Sequence, residues 1–198
     1  MKIVEDIDII RALGPRQRGV FSAADLHTAL AEVHPAAFAR RLNALIDRGV
    51  LRRFVRGWYV TDGVDLAVLS QRIAPESYVS IDRVLSDALM IGVSQTSSIT
   101  AIKTGRSRVY EGCGLRVTHL GVKPTLIFGC EVTGGVRRAD PEKATLDTFY
   151  FHLRGRRYPF DLYSDVDYSR LNRTLLRRYL RAYENPKFAE FVKGVVGL

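Results

Sequence analysis

Arg40 and Asn43, with Ala36, recur at i, i+4 and i+7 on one face of a helix expected from Pro35 onward; Asp47 completes that face. Arg suits guanine and Asn suits adenine in bidentate pairs on base edges, and Ala leaves room for a groove wall. Arg41 flanks the opposite face, where Phe38, Leu42, Leu45 and Ile46 make an apolar stripe. His34 precedes Pro35 and sits where the helix opens. Downstream, Arg52, Arg53 and Arg56 crowd one short hairpin, where they would meet phosphates or a minor groove. The candidate DNA-reading set is therefore His34, Ala36, Arg40, Arg41, Asn43, Arg52, Arg53 and Arg56. An ordinary solvated helix would show the same polar face; what favours DNA is the order of elements around it.

Catalytic chemistry finds little support. The chain lacks a His-Glu-x-x-His, a Gly-x-Ser-x-Gly, a phosphate-binding loop and a Cys-x-x-Cys. Cys113 lies between two glycines, which reads as a tight hairpin turn rather than a reactive thiol. His27, His34, His119 and His152 are scattered, so neither a metal site nor a cofactor is expected. Asp161, Asp165 and Asp167 form an acidic cluster that a metal-dependent nuclease would use, although loop acids balancing nearby arginines are commoner. Arg170, Arg173, Arg177 and Arg181 fall on one stripe of an expected helix over 168–183, with Leu171, Leu175, Leu176, Tyr179 and Tyr183 opposite. Such a face would take an acidic protein partner or a second stretch of phosphate backbone, or would simply be solvated.

These residues need positioning elements. Ile3, Ile7 and Ile10 predict a helix stopped by Gly14-Pro15. Ser22 with Asp25 forms a capping box for a helix carrying Ala23, Leu26 and Leu30. Pro35 to Gly49 bounds the next helix, and residues 51–55 and 58–60 predict strands joined at Arg56-Gly57. Trp58 and Tyr59 are expected to pack that hairpin onto the helices. Helix, turn, helix and basic hairpin together predict a winged helix-turn-helix over 1–63.

The remainder, 64–198, predicts a mixed α/β domain with C-terminal helices. Residues 64–73 suggest a short helix, and Tyr78 to Leu89 recur at helical spacing. Residues 97–139 are β-like and punctuated by glycine, with strands expected over 99–103, 108–110, 115–120, 126–130 and 136–139. Asp140-Pro141 with Glu142 opens a well-signed helix, and two helices, about 168–183 and 187–196, close the chain.

Charge supports a basic surface. The net charge is +9, and residues 11–60 carry nine Lys+Arg against three Asp+Glu. Such a balance favours nucleic acid, an anionic surface or an acidic protein partner. Arg outnumbers Lys 24 to 6, which fits phosphate and guanine contacts but equally a GC-rich genome. Acids at Glu5, Asp6 and Asp8 interrupt the apolar start, unlike a secretory leader, and no run is long enough for a membrane span. A reduced, cytoplasmic, non-enzymatic protein with two buried thiols is the expectation.

The joint pattern resembles the AbiEi family of antitoxins from type IV (abortive-infection) toxin–antitoxin systems. The likeness rests on the N-terminal helix-turn-helix, on Tyr78-Val79-Ser80 leading into Val84 to Gly92, and on Ala139-Asp140-Pro141-Glu142-Lys143-Ala144-Thr145-Leu146-Asp147. That last run is similar to the family's Pro-Glu-Lys-Ala-Leu-x-Asp helix, with Thr145 where the family often has Leu. The resemblance covers roughly residues 15–195. It implies a phage-defence protein that binds inverted repeats in its own promoter as double-stranded DNA, represses its operon, and neutralises a nucleotidyltransferase-like toxin. The inverted repeats would be satisfied either by a weak dimer or by two monomers binding side by side on DNA. Alternatives are a stand-alone transcriptional regulator and a protein-interaction module without a toxin partner.

Overall fold

A computed structural model describes residues 2–198 of this mixed α/β chain. It divides into two compact units. The first comprises residues up to Leu69 together with Tyr110–Arg116; the second comprises Ser70–Val109 and Val117–Leu198. The first unit thus runs past the expected boundary at 63 and takes in a distant hairpin turn.

The first unit holds α1 (Lys2–Leu13), β1 (Val20–Ser22), α2 (Ala23–Leu30), α3 (Pro35–Asp47), β2 (Arg52–Val55) and β3 (Trp58–Val60). Ser22 caps α2: its side chain accepts from the Asp25 amide at 3.1 Å, and the Asp25 carboxylate accepts from the Ser22 amide at 2.6 Å. Pro35 starts α3 because its missing N–H is not needed there. β1 was not foreseen, since three residues are too few to show a period. It pairs antiparallel with β3, Phe21 opposite Tyr59, and β3 pairs antiparallel with β2. Ile10, Phe21, Leu26, Leu30, Leu42, Leu45, Leu51 and Tyr59 form the core against which the three helices and the small sheet pack.

The second unit holds most of a six-stranded sheet, order β6-β7-β5-β4-β9-β8, the end of β6 and the start of β7 being counted with the first. The strands are β4 (Tyr78–Val79), β5 (Ser98–Thr104), β6 (Arg108–Gly112), β7 (Leu115–Val122), β8 (Cys130–Thr133) and β9 (Val136–Ala139). α4 (Leu66–Ile73) carries the chain across the division between the units. α5 (Asp82–Asp87), α6 (Pro141–His152), α7 (Arg173–Leu180) and α8 (Pro186–Val196) complete the fold. Every residue of α6 from Glu142 to Phe149 is buried. This is the central helix of its unit, in contact with α5, α7, α8 and β9.

Three expectations fail here. The helix read over Tyr78–Leu89 is a strand, a sharp turn and a short helix. Tyr78 and Val79 pair with Ile102 and Ala101 of β5, and Val79 also faces Arg138 of β9. A short apolar run buried on both sides carries no period that separates strand from helix. The strand expected over 126–130 is a 3-10 turn at Pro124–Leu126, with β8 beginning only at Cys130. The helix expected over 168–183 is interrupted: Tyr168–Arg170 is a 3-10 turn, and Asn172 starts α7 afresh by accepting from the Leu175 amide at 3.0 Å.

Candidate nucleic-acid interface

α3 turns Leu42 and Leu45 into the core and leaves Ala36, Arg40, Asn43 and Asp47 exposed. His34 is its N-cap residue, exposed and without a side-chain capping bond. The preceding Val33 is 81% exposed, so the turn into α3 offers an apolar tip beside the polar face. Arg40 and Asn43 are exposed side by side on this face.

Arg41 does not belong to that face. Its side chain is 16% exposed and is engaged with Asp6 and Glu32. The structure thus corrects its grouping with Arg40 and Asn43: the Arg41 guanidinium is turned inward and held by Asp6, Glu32 and the Leu30 carbonyl. Asp6, read as an acid that merely broke an apolar start, is its buried partner at 1% exposure. The available signal was the i, i+3 spacing that puts Asp6 on the buried side with Ile3 and Ile10.

The β2–β3 hairpin sorts its arginines by strand alternation. Phe54 is buried, and Arg53 and Arg56 are exposed. Arg52 is half-buried, lies 3.5 Å from Asp62, and donates to the Cys113 carbonyl at 3.4 Å. It ties β2 to the Tyr110–Arg116 turn and so differs from Arg53 and Arg56, which are exposed. Gly112 of that turn lies so close to β2 that a Cβ there would sit 1.7 Å from the Phe54 carbonyl oxygen. Cys113 and Gly114 both have positive φ, 43° and 77°, in the two-residue loop between β6 and β7, as a tight primed hairpin turn requires. Burial pushes the Cys113 thiol up, and the Arg52 charge opposes that shift. The expected turn at Cys113 is therefore present.

The basic stripe expected at the C-terminus is divided among three settings. Arg170 lies on the 3-10 turn and pairs with Asp167 at 3.0 Å. Arg173 donates to the Gly197 carbonyl at 3.0 Å. Arg177 is exposed on α7, and Arg181 is the exposed C-cap residue. Arg178, absent from the expected stripe, is exposed as well. The continuous helical face is thus corrected to a patch of Arg177, Arg178 and Arg181.

The acidic cluster is occupied by local bonding. Asp161 accepts from the amides of Tyr163 and Ser164, Asp165 accepts from the Asp161 amide and the Ser164 hydroxyl, and Asp167 accepts from Ser169. Backbone N–H donation holds the Asp165 carboxyl below its ordinary range, and the Ser169 hydroxyl does the same for Asp167. Among the described residues, no three His, Cys, Asp or Glu side chains gather as metal ligands. Among them, too, no helix is long and apolar enough to cross a membrane.

A second polar cluster lies inside the second unit. On α6, Lys143 Nζ donates to Asp147 Oδ1 at 2.5 Å and to the Tyr183 hydroxyl at 3.1 Å. Asp147 Oδ2 accepts from the Tyr78 hydroxyl at 3.0 Å and the Ser80 hydroxyl at 2.8 Å. Lys143 Nζ also stands 4.5 Å from the Phe128 ring centroid. Burial pushes the Asp147 carboxyl up, and the Lys143 ammonium opposes it. Burial likewise raises the Tyr78 and Tyr183 hydroxyls, so both stay protonated and donate or accept as neutral groups. Ile81 has φ 62° and ψ −126°. That conformation costs a β-branched residue about 1–3 kcal/mol, and it makes the sharp strand-to-helix turn beside Ser80. Lys143, Asp147, Tyr78 and Ser80 are buried and bonded to one another or to Tyr183, so the cluster ties α6 into the core. Lys143 and Asp147, an opposite-charge pair at i and i+4 on α6, were the sequence signal for it.

No known family's sequence profile matches the chain, and no curated protein matches it.

Proposed function

We propose that the first unit is a winged helix-turn-helix and that the protein binds double-stranded DNA as a repressor of its own promoter. The observation that carries this reading is the orientation of α3. Its apolar side is locked into the core, while Ala36, Arg40 and Asn43 face solvent behind an exposed His34. Arg40 and Asn43 read base edges. Arg53 and Arg56, exposed on the β2–β3 hairpin of the same unit, hold the phosphate backbone, which positions the protein without reading sequence.

The antitoxin role, neutralisation of a nucleotidyltransferase-like toxin, is supported by the likeness of Tyr78-Val79-Ser80 and of Ala139–Asp147 to the AbiEi pattern. Tyr78, Ser80, Lys143 and Asp147 from those two segments meet in one buried network, so they serve the fold of the second unit. Contact with a protein partner falls to exposed groups, and Arg177, Arg178 and Arg181 are the basic patch that fits an acidic one.

The test is a salt-series gel shift on the gene's own upstream region against scrambled DNA of equal length. Selective retardation that weakens steeply with salt is the expected result. Equal affinity for the two DNAs, or none, sinks the repressor reading. Co-expression with the neighbouring gene then tests the antitoxin role: rescue of growth supports it, and toxicity unaffected by this protein removes it.

A further inference from the structure

Arg41 joins three helices through one guanidinium. Nε and Nη2 donate to the two carboxylate oxygens of Asp6 on α1, at 2.9 and 2.5 Å. Nη1 donates to the Leu30 carbonyl at the end of α2 (2.9 Å) and to Glu32 Oε2 in the turn that follows (3.4 Å). Glu32 Oε1 in turn accepts from the backbone amide of His34, the N-cap residue of α3, at 3.2 Å. Lys2 of α1 lies 3.7 Å from Glu32 as well. The His34 amide, then the Lys2 charge and the Arg41 hydrogen bond, hold the Glu32 carboxyl below its ordinary range, and Asp6 and Glu32 raise the Arg41 guanidinium further, keeping it charged.

A buried ion pair of this kind is poor evidence for stability, because well-packed apolar side chains in its place are often as good. What it supplies is direction. A bidentate guanidinium–carboxylate contact tolerates little rotation or sliding. Here it fixes α1, the end of α2, the entry turn and the second turn of α3 relative to one another. Base reading needs that precision, since recognition groups must be held to within about half an ångström of their working geometry.

We propose that Arg41, Asp6 and Glu32 form a positioning clasp that sets the height and rotation of α3, and so determines DNA sequence choice without touching DNA. The proposal rests on the DNA-binding reading above. Asp6, at 1% exposure, cannot reach a nucleic acid, which makes it the informative residue to change.

The experiment compares the unsubstituted protein, Asp6→Asn, and the double variant Asp6→Leu with Arg41→Met. Each is titrated on the gene's upstream region and on scrambled DNA, with far-UV circular dichroism to establish folding. The double variant replaces the pair by apolar side chains, so it stays folded if the single change does not. The readout is the ratio of the two affinities. Loss of fold lowers both affinities together, whereas a displaced α3 lowers only the specific one. The expected result is a folded variant whose ratio falls by roughly tenfold, the size of one lost base contact, with scrambled-DNA affinity within about twofold. A folded double variant that keeps the full ratio, or loses both affinities equally, overturns the clasp. An unsubstituted protein that shows no preference overturns the DNA-binding reading and the clasp with it, and that failure is seen before any substitution is made.

Discussion

Lys143 Nζ lies 2.5 Å from Asp147 Oδ1, one turn along α6, with the two side chains 0% and 1% exposed. A charge pair with no access to water has only its immediate partners for solvation. Tyr183 serves the ammonium, and Tyr78 and Ser80 serve the carboxylate. The network thereby links α6 to β4, to the turn after it, and to the residues beyond α7.

Removing one member strands the other. Lys143→Met or Asp147→Leu is expected to destabilise the second unit by about 3–5 kcal/mol. The double variant is expected to lose much less than the sum of the two, because neither charge is then left unpaired. Urea unfolding of the four proteins checks this. Additive losses would mean that the two groups do not depend on each other.

Gly112 carries a different kind of constraint. Its φ is not positive; what it lacks is room, since an added Cβ would lie 1.7 Å from the Phe54 carbonyl oxygen. Backbone atoms cannot yield as a side chain would, so Gly112→Ala must part the turn from β2. A loss of about 1–3 kcal/mol is expected, the usual cost of forcing extra volume into a packed contact. Gly114, in the same turn, has nothing within 4 Å of its Cβ position but has φ 77°. Gly114→Ala is expected to cost about 1–2 kcal/mol through backbone strain alone. Thermal unfolding separates the pair if an Arg52→Ala background, which removes the contact to the Cys113 carbonyl, softens the first loss and leaves the second unchanged.

How far these features could be read in advance depended on their range. The capping box at Ser22, the Pro35 helix start, the Arg56-Gly57 turn and the Asp140-Pro141 start are local chemistry, and each lies where the sequence put it. Long-range pairings left no such mark. Tyr78 falls in a helical period with Ile81, Val84 and Leu85 by accident of composition, yet Tyr78 and Val79 are held as a strand between β5 and β9. Arg41, at the flank of the apolar stripe, was counted with the DNA-facing groups because its partner is 35 residues away on α1. Arg52 and Arg53 are indistinguishable by type; only the approach of the Cys113 carbonyl and of Asp62 separates a tied arginine from an exposed one.

His119 gives the protein a pH dependence. It is fully buried, with Nε2 2.9 Å from the Ser70 hydroxyl. Burial, assisted by the Lys103 charge, lowers its pKa to about 4, and Glu76 opposes the shift. The folded state therefore keeps the imidazole neutral, while the unfolded chain takes up a proton near the ordinary histidine value of about 6.5. The unfolded state binds more protons below that value, so stability is complete above about pH 6.5 and falls as pH drops towards 4. His119→Gln does not titrate and is expected to show a flatter profile across that window. Urea midpoints measured from pH 7.5 to 4.5 test it; parallel profiles for the two proteins would mean that His119 does not set the slope.

The exposed arginines of the first unit divide by the work proposed for them. Arg40 lies on the outward face of α3 with Asn43, and Arg56 lies in the turn of the β2–β3 hairpin. A base contact carries discrimination, so Arg40→Ala is expected to weaken binding to the gene's upstream region by about 1–3 kcal/mol and to relax sequence choice. A phosphate contact carries none, so Arg56→Ala is expected to weaken all duplexes alike. It should also reduce the slope of log affinity against log salt by about one, because one fewer counterion is released. Arg53→Ala is expected to behave as Arg56→Ala does. Arg52→Ala should leave the salt slope unchanged, because its guanidinium is already held by Asp62 and the Cys113 carbonyl. Fluorescence anisotropy at four salt concentrations on specific and scrambled duplexes distinguishes these cases. If Arg40→Ala weakens both duplexes equally, α3 does not read bases. If Arg52→Ala lowers the slope as far as Arg56→Ala does, the tie to the Cys113 carbonyl gives way on DNA and Arg52 joins the phosphate contacts.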